Sequence, residues 1–304
     1  PNANKILNHW SWSCSGRSQG SKCNGVCKLD SDTTVQITCG RDGNWTSDLN
    51  LTDTSVCPTR RGKLMIVGGN GDNGHTNVTS VLDLDDETST CNVASTYPFE
   101  VGYIQAGVLD SKPIFCGGDN SKECFEYSTQ GFKSFANLTY DVDYSASTIV
   151  QIDQHAVLWI SGGFDMGNKS QLVYSNGTIS EGPEMPEKLV DHCVVAINKT
   201  TVLVIGGTGN GPTNKTHVYN FDFGHWYIGP ELLTERDSHA CGVFQNSTNW
   251  MIAVIGGQGY YGEYLDSVEF AVLDEDNTPT MTWEWKSGPQ FPLKVSDSTA
   301  VSSN

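Results

Sequence analysis

A β-rich run, Leu64-Met65-Ile66-Val67, leads into Gly69-x-Gly71-x-x-Gly74, the glycine spacing of a dinucleotide-binding turn. In such a turn the glycines let backbone N–H groups approach a pyrophosphate, which rests on the N-terminus of the following helix. The residues that follow, His75-Thr76-Asn77-Val78-Thr79-Ser80-Val81-Leu82, are β-branched and alternating, with no 3.6-residue apolar period. Without a helix there is no helix N-terminus to receive an anion, so phosphate chemistry is set aside. The chain also lacks an HExxH zinc motif and a Gly-x-Ser-x-Gly nucleophile turn. Its acidic runs, Asp83-Leu84-Asp85-Asp86-Glu87 and Asp274-Glu275-Asp276-Asn277, offer oxygen ligands without the spacing of a calcium loop and read as solvated turns. No catalytic residue, metal site or cofactor is assigned.

The elements that would position any site come from composition and repetition. The 304 residues carry a formal net charge of −17, which argues against a nucleic-acid partner. No stretch approaches the eighteen or so consecutive apolar residues of a membrane span. Glycine is abundant at 32 copies and charged residues are sparse at 17%, as suits short strands joined by tight turns. Nine Asn-x-Ser/Thr sequons begin at Asn44, Asn50, Asn77, Asn137, Asn168, Asn176, Asn198, Asn214 and Asn246. Chance predicts about four, and the excess joins ten cysteines in pointing to the secretory pathway. Pro1 in place of Met fits the expectation that a signal peptide has been removed. The expected location is extracellular.

Cysteine density divides the chain into 1–60 and 61–304. Cys14, Cys23, Cys27, Cys39 and Cys57 fall in a segment too small to bury a sufficient core, where disulfides are the usual remedy. Gly20-Ser21-Lys22-Cys23-Asn24-Gly25-Val26-Cys27, followed by Ile37-Thr38-Cys39-Gly40-Arg41-Asp42-Gly43-Asn44-Trp45 and Cys57, resembles a shortened sushi (complement-control) module. That resemblance implies Cys14–Cys39 and Cys27–Cys57 bonds. Cys23 is then left over, and its expected partner is Cys91.

From residue 61 one unit recurs five times: LMIVGG (64–69), PIFCGG (113–118), LWISGG (158–163), VLVIGG (202–207) and IAVIGG (252–257). The second glycines stand 49, 45, 44 and 50 residues apart. Each unit continues through a polar loop into an aromatic β segment. Three units then reach a Gly-Pro, at Gly182-Pro183, Gly229-Pro230 and Gly288-Pro289, two of them preceded by Trp226 or by Trp283 and Trp285. Strand, Gly-Gly, loop, aromatic strand, Trp and Gly-Pro in this order resemble the kelch repeat. The resemblance implies an all-β propeller with one four-stranded antiparallel sheet per repeat. Segment 295–302 aligns with the first strand of a repeat and would complete the sheet containing 63–95, closing a ring of five. A sixth repeat beyond residue 304, or donation of this strand to a neighbouring molecule, are the competing expectations.

Cys116 and Cys124 flank one Gly-Gly hairpin and are expected to bond across it. Cys193 and Cys241 are offset by one position in the repeat alignment, which turns them to opposite sheet faces and allows a bond between adjacent sheets. Some kelch-type propellers are copper oxidases with two histidines and a cysteine-linked tyrosine. Here His9, His75, His155, His192, His217, His225 and His239 are scattered, and the repeat-equivalent His192 and His239 read as structural. The Ser-x-Asp-x-Gly-x-Thr-Trp box of sialidase propellers is absent. The chain is therefore expected not to be an enzyme. The variable loops after the Gly-Gly pairs are the expected binding surface, with Asn70, Asp72, Asn73, Asp119, Phe164, Asn210, Tyr260 and Tyr261 as candidates for protein or glycan contact. The alternative is a structural subunit that self-assembles into an extracellular fibre or matrix.

Overall fold

The structure is a computed structural model, and it describes residues 10–14, 22–27, 34–39, 45–47, 63–71, 74–83, 92–119, 121–245, 250–273 and 283–297. The fold is all-β and propeller-like. It divides into two compact units, Pro1–Leu64 with Val81–Cys91 and Met65–Ser80 with Asn92–Ser303.

In the first unit β1 (Trp10–Cys14), β2 (Lys22–Cys27), β3 (Thr34–Cys39) and β4 (Trp45–Ser47) form one antiparallel sheet in chain order. Its register sets Cys14 opposite Cys23, while Cys39 stands on β3 with β2 between them. The side chains of Cys14 and Cys39 lie outside the described residues, and with them the Cys14–Cys39 pairing. Cys57 and Cys91 lie outside the described residues, as do the Cys27–Cys57 and Cys23–Cys91 pairings that involve them.

The second unit holds five four-stranded sheets. The first contains β5 (Lys63–Val67), the two-residue β6 (Asn70–Gly71), β7 (Gly74–Asp83) and β8 (Asn92–Val101). The second is β9 (Gln105–Leu109), β10 (Lys112–Cys116), β11 (Glu123–Ser128) and β12 (Gly131–Asn137). The third is β13 (Ala146–Ile152), β14 (His155–Ser161), β15 (Ser170–Tyr174) and β16 (Ile179–Glu181). The fourth is β17 (Cys193–Ala196), β18 (Thr201–Ile205), β19 (Thr216–Asn220) and β20 (His225–Ile228). The fifth is β21 (Ala240–Gln245), β22 (Trp250–Ile255), β23 (Val268–Leu273) and β24 (Lys286–Ser287). In the second to fifth sheets the strands are neighbours in chain order, so each is a simple meander. Of the expected closing segment 295–302, residues 298–302 lie outside the described residues, and among the described strands β5 pairs only with β7.

Apolar cores lie between consecutive sheets. Leu109, Ile114 and Cys124 of the second sheet pack with Leu158, Ile160 and Val173 of the third. Trp159 and Leu172 meet Val194, Val202 and Val204 of the fourth, and Leu203, Ile205 and Val218 meet Ile252, Val254 and Ala271 of the fifth. The repeat strands β10, β14 and β18 are apolar along most of their length because sheets pack on both of their faces, whereas β5 leaves Ile66 51% exposed.

The Gly-Gly pairs make this stacking possible. All ten of these glycines have positive φ, from 55° to 104°. A Cβ on the first glycine of a pair would strike the loop entering the next sheet: at Gly68 it would lie 2.5 Å from the Val101 carbonyl oxygen, and at Gly256 2.5 Å from that of Val295. A Cβ on the second glycine would strike the loop entering its own sheet, as at Gly207, where it would lie 2.6 Å from His192 Cβ. The pairs at 117–118, 162–163 and 206–207 are thus wedged between two entry loops, whereas a Cβ at Gly69 would meet nothing within 4 Å. The second N–H is also used, donating from Gly69 to Val101 O (2.8 Å), Gly163 to Leu189 O (2.9 Å), Gly207 to Arg236 O (2.9 Å) and Gly257 to Val295 O (2.7 Å).

Polar clamps hold the entry loops on their other side. The second residue of the third strand fastens the loop entering its own sheet. Gln171 Oε1 accepts from the N–H of Thr139 (3.0 Å), and Glu269 accepts from Leu233 (2.7 Å) and Thr234 (3.0 Å). Glu269 also pairs with Arg236 at 2.6 Å, where Arg236 is fully buried and donates to Gly256 O. Two disulfides reinforce the frame: Cys116–Cys124 within the second sheet and Cys193–Cys241 between the fourth and fifth.

Arg236→Met removes one partner of a buried ion pair and leaves the Glu269 carboxylate without its counter-charge. The expected loss is about 3–5 kcal/mol of unfolding free energy, read as a lower urea midpoint at unchanged slope.

Candidate functional site

The loops entering the sheets converge on one end of the second unit. Each turns on a non-glycine residue in the left-handed region two positions before its strand. These are Tyr103 (φ 54°), Tyr144 (59°), Asp191 (53°) and Ser238 (51°), and Asp297 (52°) takes the same conformation after Val295. Such residues cost of order 1–3 kcal/mol each and persist only where the surroundings over-determine them. Here they are tied to one another. The N–H of Asp191 donates to Tyr144 O (3.1 Å), that of Ser238 to Asp191 O (2.9 Å) and that of Asp297 to Ser238 O (2.8 Å). A backbone girdle runs from sheet to sheet around the axis.

Inside the girdle lies a cavity of 640 Å³. Its wall is of two kinds. On one side Tyr103 and Tyr144 lie face to face with ring centroids 4.1 Å apart, and Tyr144 Oη donates to Tyr103 Oη at 2.8 Å. His75 extends this arc edge-on to Tyr103 and Phe164 extends it edge-on to Tyr144. On the other side stand Asp191 and Asp237, from two different entry loops, and Asp297, from the segment after β24. Among the described residues no Lys or Arg lines the cavity. Burial, with Asp237 and Asp297 as like-charged neighbours, raises the Asp191 carboxyl to about 7. Asp237 is raised as well, again chiefly by burial.

Deeper in the wall stand His192 and His239, each buried to 5% exposure. Burial holds both imidazoles neutral down to about pH 3. His192 Nε2 meets Ser161 Oγ at 3.0 Å while its Nδ1 has no hydrogen-bond partner. The carbonyls of Ile205 and Asp237 lie near the His239 ring, yet neither of its nitrogens completes a hydrogen bond. The structural reading of these histidines accounts for their packing against the glycine pairs, which they meet at Gly162, Gly206 and Gly207. It leaves their unpartnered nitrogens unexplained.

A second pocket, of 430 Å³, opens between the loops that follow β18 and β22. Asn210 and Tyr260 line it, together with Glu187, Lys188, Lys215 and Pro212. Lys215 and His217 both bond Glu187, at 3.1 and 2.7 Å. Burial alone would raise the Glu187 carboxyl, but these hydrogen bonds hold it below its usual range.

The sequence candidates therefore divide. Asn210 and Tyr260 meet in one pocket, and Tyr261, 90% exposed, packs edge-on against Tyr260 outside it. Asn70 lines the axial cavity, and Phe164 is 66% exposed at the end of its aromatic arc. Asp119 is engaged structurally, pairing with His75 at 2.8 Å and accepting from the Gly102 N–H. Asp72 and Asn73, like the runs 84–87 and 274–277, lie outside the described residues. Sequence reasoning missed the girdle residues. The recurring Asp-His and Asp-Ser pairs at 191–192, 237–238 and 297–298 were the available signal.

No family model matches this chain, and no curated protein matches it either. Among solved structures, that of YjhT aligns over 78% of this chain and 83% of its own, with a TM-score of 0.62 and 11% identity. At that identity the likeness shows the fold alone.

Asp191→Asn tests the electrostatics of the cavity. An acid whose folded pKa is raised costs stability above its unfolded value of about 3.9, and the cost grows as pH rises through about 7. The neutral histidines act in the opposite sense, losing stability as pH falls below their ordinary value of about 6.5. Comparing the variant with its parent cancels the histidine contribution. Calorimetry is expected to show a melting temperature a few degrees above the parent at pH 8 and no difference at pH 4.

Proposed function

We infer that this chain is a secreted, N-glycosylated, non-catalytic recognition scaffold. In this reading a five-bladed kelch-type propeller follows a sushi-like disulfide module and binds its ligand through the loops after the Gly-Gly strands. The observation that carries it is the convergence of Asn210 and Tyr260 in a pocket built from two repeats. An exposed tyrosine face beside an amide, a carboxylate and two lysines suits a glycan. The apolar face of a sugar stacks on the ring while its hydroxyls find donors and acceptors around the rim.

Other observations support the same reading. Of the described sequon residues, Asn137 and Asn176 are exposed and Asn77, Asn168, Asn198 and Asn214 half-buried, so none is shut in the core. The two disulfides are compatible with an oxidising compartment. No helix among the described residues is long and apolar enough to cross a membrane.

A glycan array probed with the folded protein tests the proposal. The expected result is saturable binding to a restricted glycan class, weakened at least about tenfold by Tyr260→Ala through loss of the stacking face. Silence across the array with specific capture of a protein would select a protein ligand in its place. Concentration-dependent growth of assemblies in light scattering would select the self-assembling matrix subunit.

A further inference from the structure

The axial cavity is separate from the loop pocket, and its chemistry is different. Its wall combines an aromatic arc with three carboxylates and supplies no cation of its own. We propose that it binds a primary alkylammonium group, with the charged nitrogen among Asp191, Asp237 and Asp297 and the alkyl chain against Tyr103 and Tyr144.

Four observations converge on that ligand. Carboxylates from two entry loops and from the segment after β24 leave a negative field, with no lysine or arginine among the described residues of the wall to balance it. The Tyr103 and Tyr144 rings, stacked on each other, border the same cavity and offer apolar surface to cover the methylene groups. His192 and His239 supply unpartnered ring nitrogens in the same wall. In the tautomer where His192 Nε2–H donates to Ser161, its Nδ1 keeps an unshared lone pair inside the wall. Finally, 640 Å³ is the size of a small-molecule site and far larger than a bare ion requires.

The geometry also discriminates between kinds of cation. Among the described residues no group of three or more His, Cys, Asp or Glu side chains stands close enough together to hold a metal ion. An alkylammonium group needs only one of these carboxylates as a close partner, with the others contributing their field, while its chain occupies the rest of the cavity. The ammonium group could belong to a free diamine or to a lysine side chain of a peptide, since the recognising chemistry is shared.

Isothermal titration with 1,4-diaminobutane, n-butylamine and a blocked lysine tripeptide tests the proposal, with sodium and calcium chloride as controls. At least one amine is expected to bind saturably at physiological ionic strength. Asp191→Asn is expected to weaken it at least about tenfold, as for loss of a charge-assisted hydrogen bond. Asparagine tolerates the left-handed conformation that position 191 requires, so this variant should keep the girdle. Asp297→Asn, on an exposed residue, provides a second variant with the same expected direction. Tyr260→Ala should leave amine binding unchanged, which separates this site from the glycan pocket. Preference for the diamine identifies a free amine as the ligand, and preference for the tripeptide identifies a lysine side chain. The proposal is overturned if no amine binds, if calcium binds in its place, or if both aspartate variants bind as the parent does.

Discussion

Everything in the second unit depends on how closely one entry loop can pass over the strand ends of two sheets. At nine of the ten positions in these pairs an ordinary residue would push its neighbours outward, because its Cβ would fall within 2.6 Å of another backbone or side-chain atom; of the ten, Gly69 has open space there. The two glycines are not interchangeable: the first makes room for the loop entering the next sheet and the second for the loop entering its own. That division of labour explains why the motif is a pair. It also explains why the pair carries positive φ in every repeat, a conformation open to glycine at little steric cost.

Once the loops are drawn in, their own backbones become strained. Tyrosine, serine and aspartate are held left-handed around the axis, and hydrogen bonds from loop to loop keep them there. The same contraction crowds three carboxylates and buries two histidines with unused nitrogens. The cavity's polarity is thus a product of the packing that closes the sheets on one another. Gln171 and the Arg236–Glu269 pair hold the loops from their outer side through several hydrogen bonds each.

How much of this was legible in the sequence follows from where each feature is encoded. The strands, the glycine pairs and the hairpin bond Cys116–Cys124 are written within single repeats, so spacing alone exposes them. The Cys193–Cys241 bond required comparing two repeats, and a one-position offset sufficed because side chains alternate along a strand. The pocket shared by Asn210 and Tyr260 joins loops of different repeats, so the residues could be named but their meeting could not. Tyr103, Tyr144 and Asp191 escaped notice altogether. Nothing in a tyrosine or an aspartate announces a left-handed backbone, which is imposed by the neighbouring loop.

The Cys193–Cys241 bond encloses the stretch that carries Asn210 and the exposed loop around it. Exposed loop tips are the preferred sites of proteolytic nicking. A cut anywhere between these cysteines would break the main chain without releasing either fragment, since the fourth and fifth sheets would remain joined by sulfur. The fourth sheet can therefore display a long and vulnerable loop while its continuity with the fifth does not rest on the peptide chain alone.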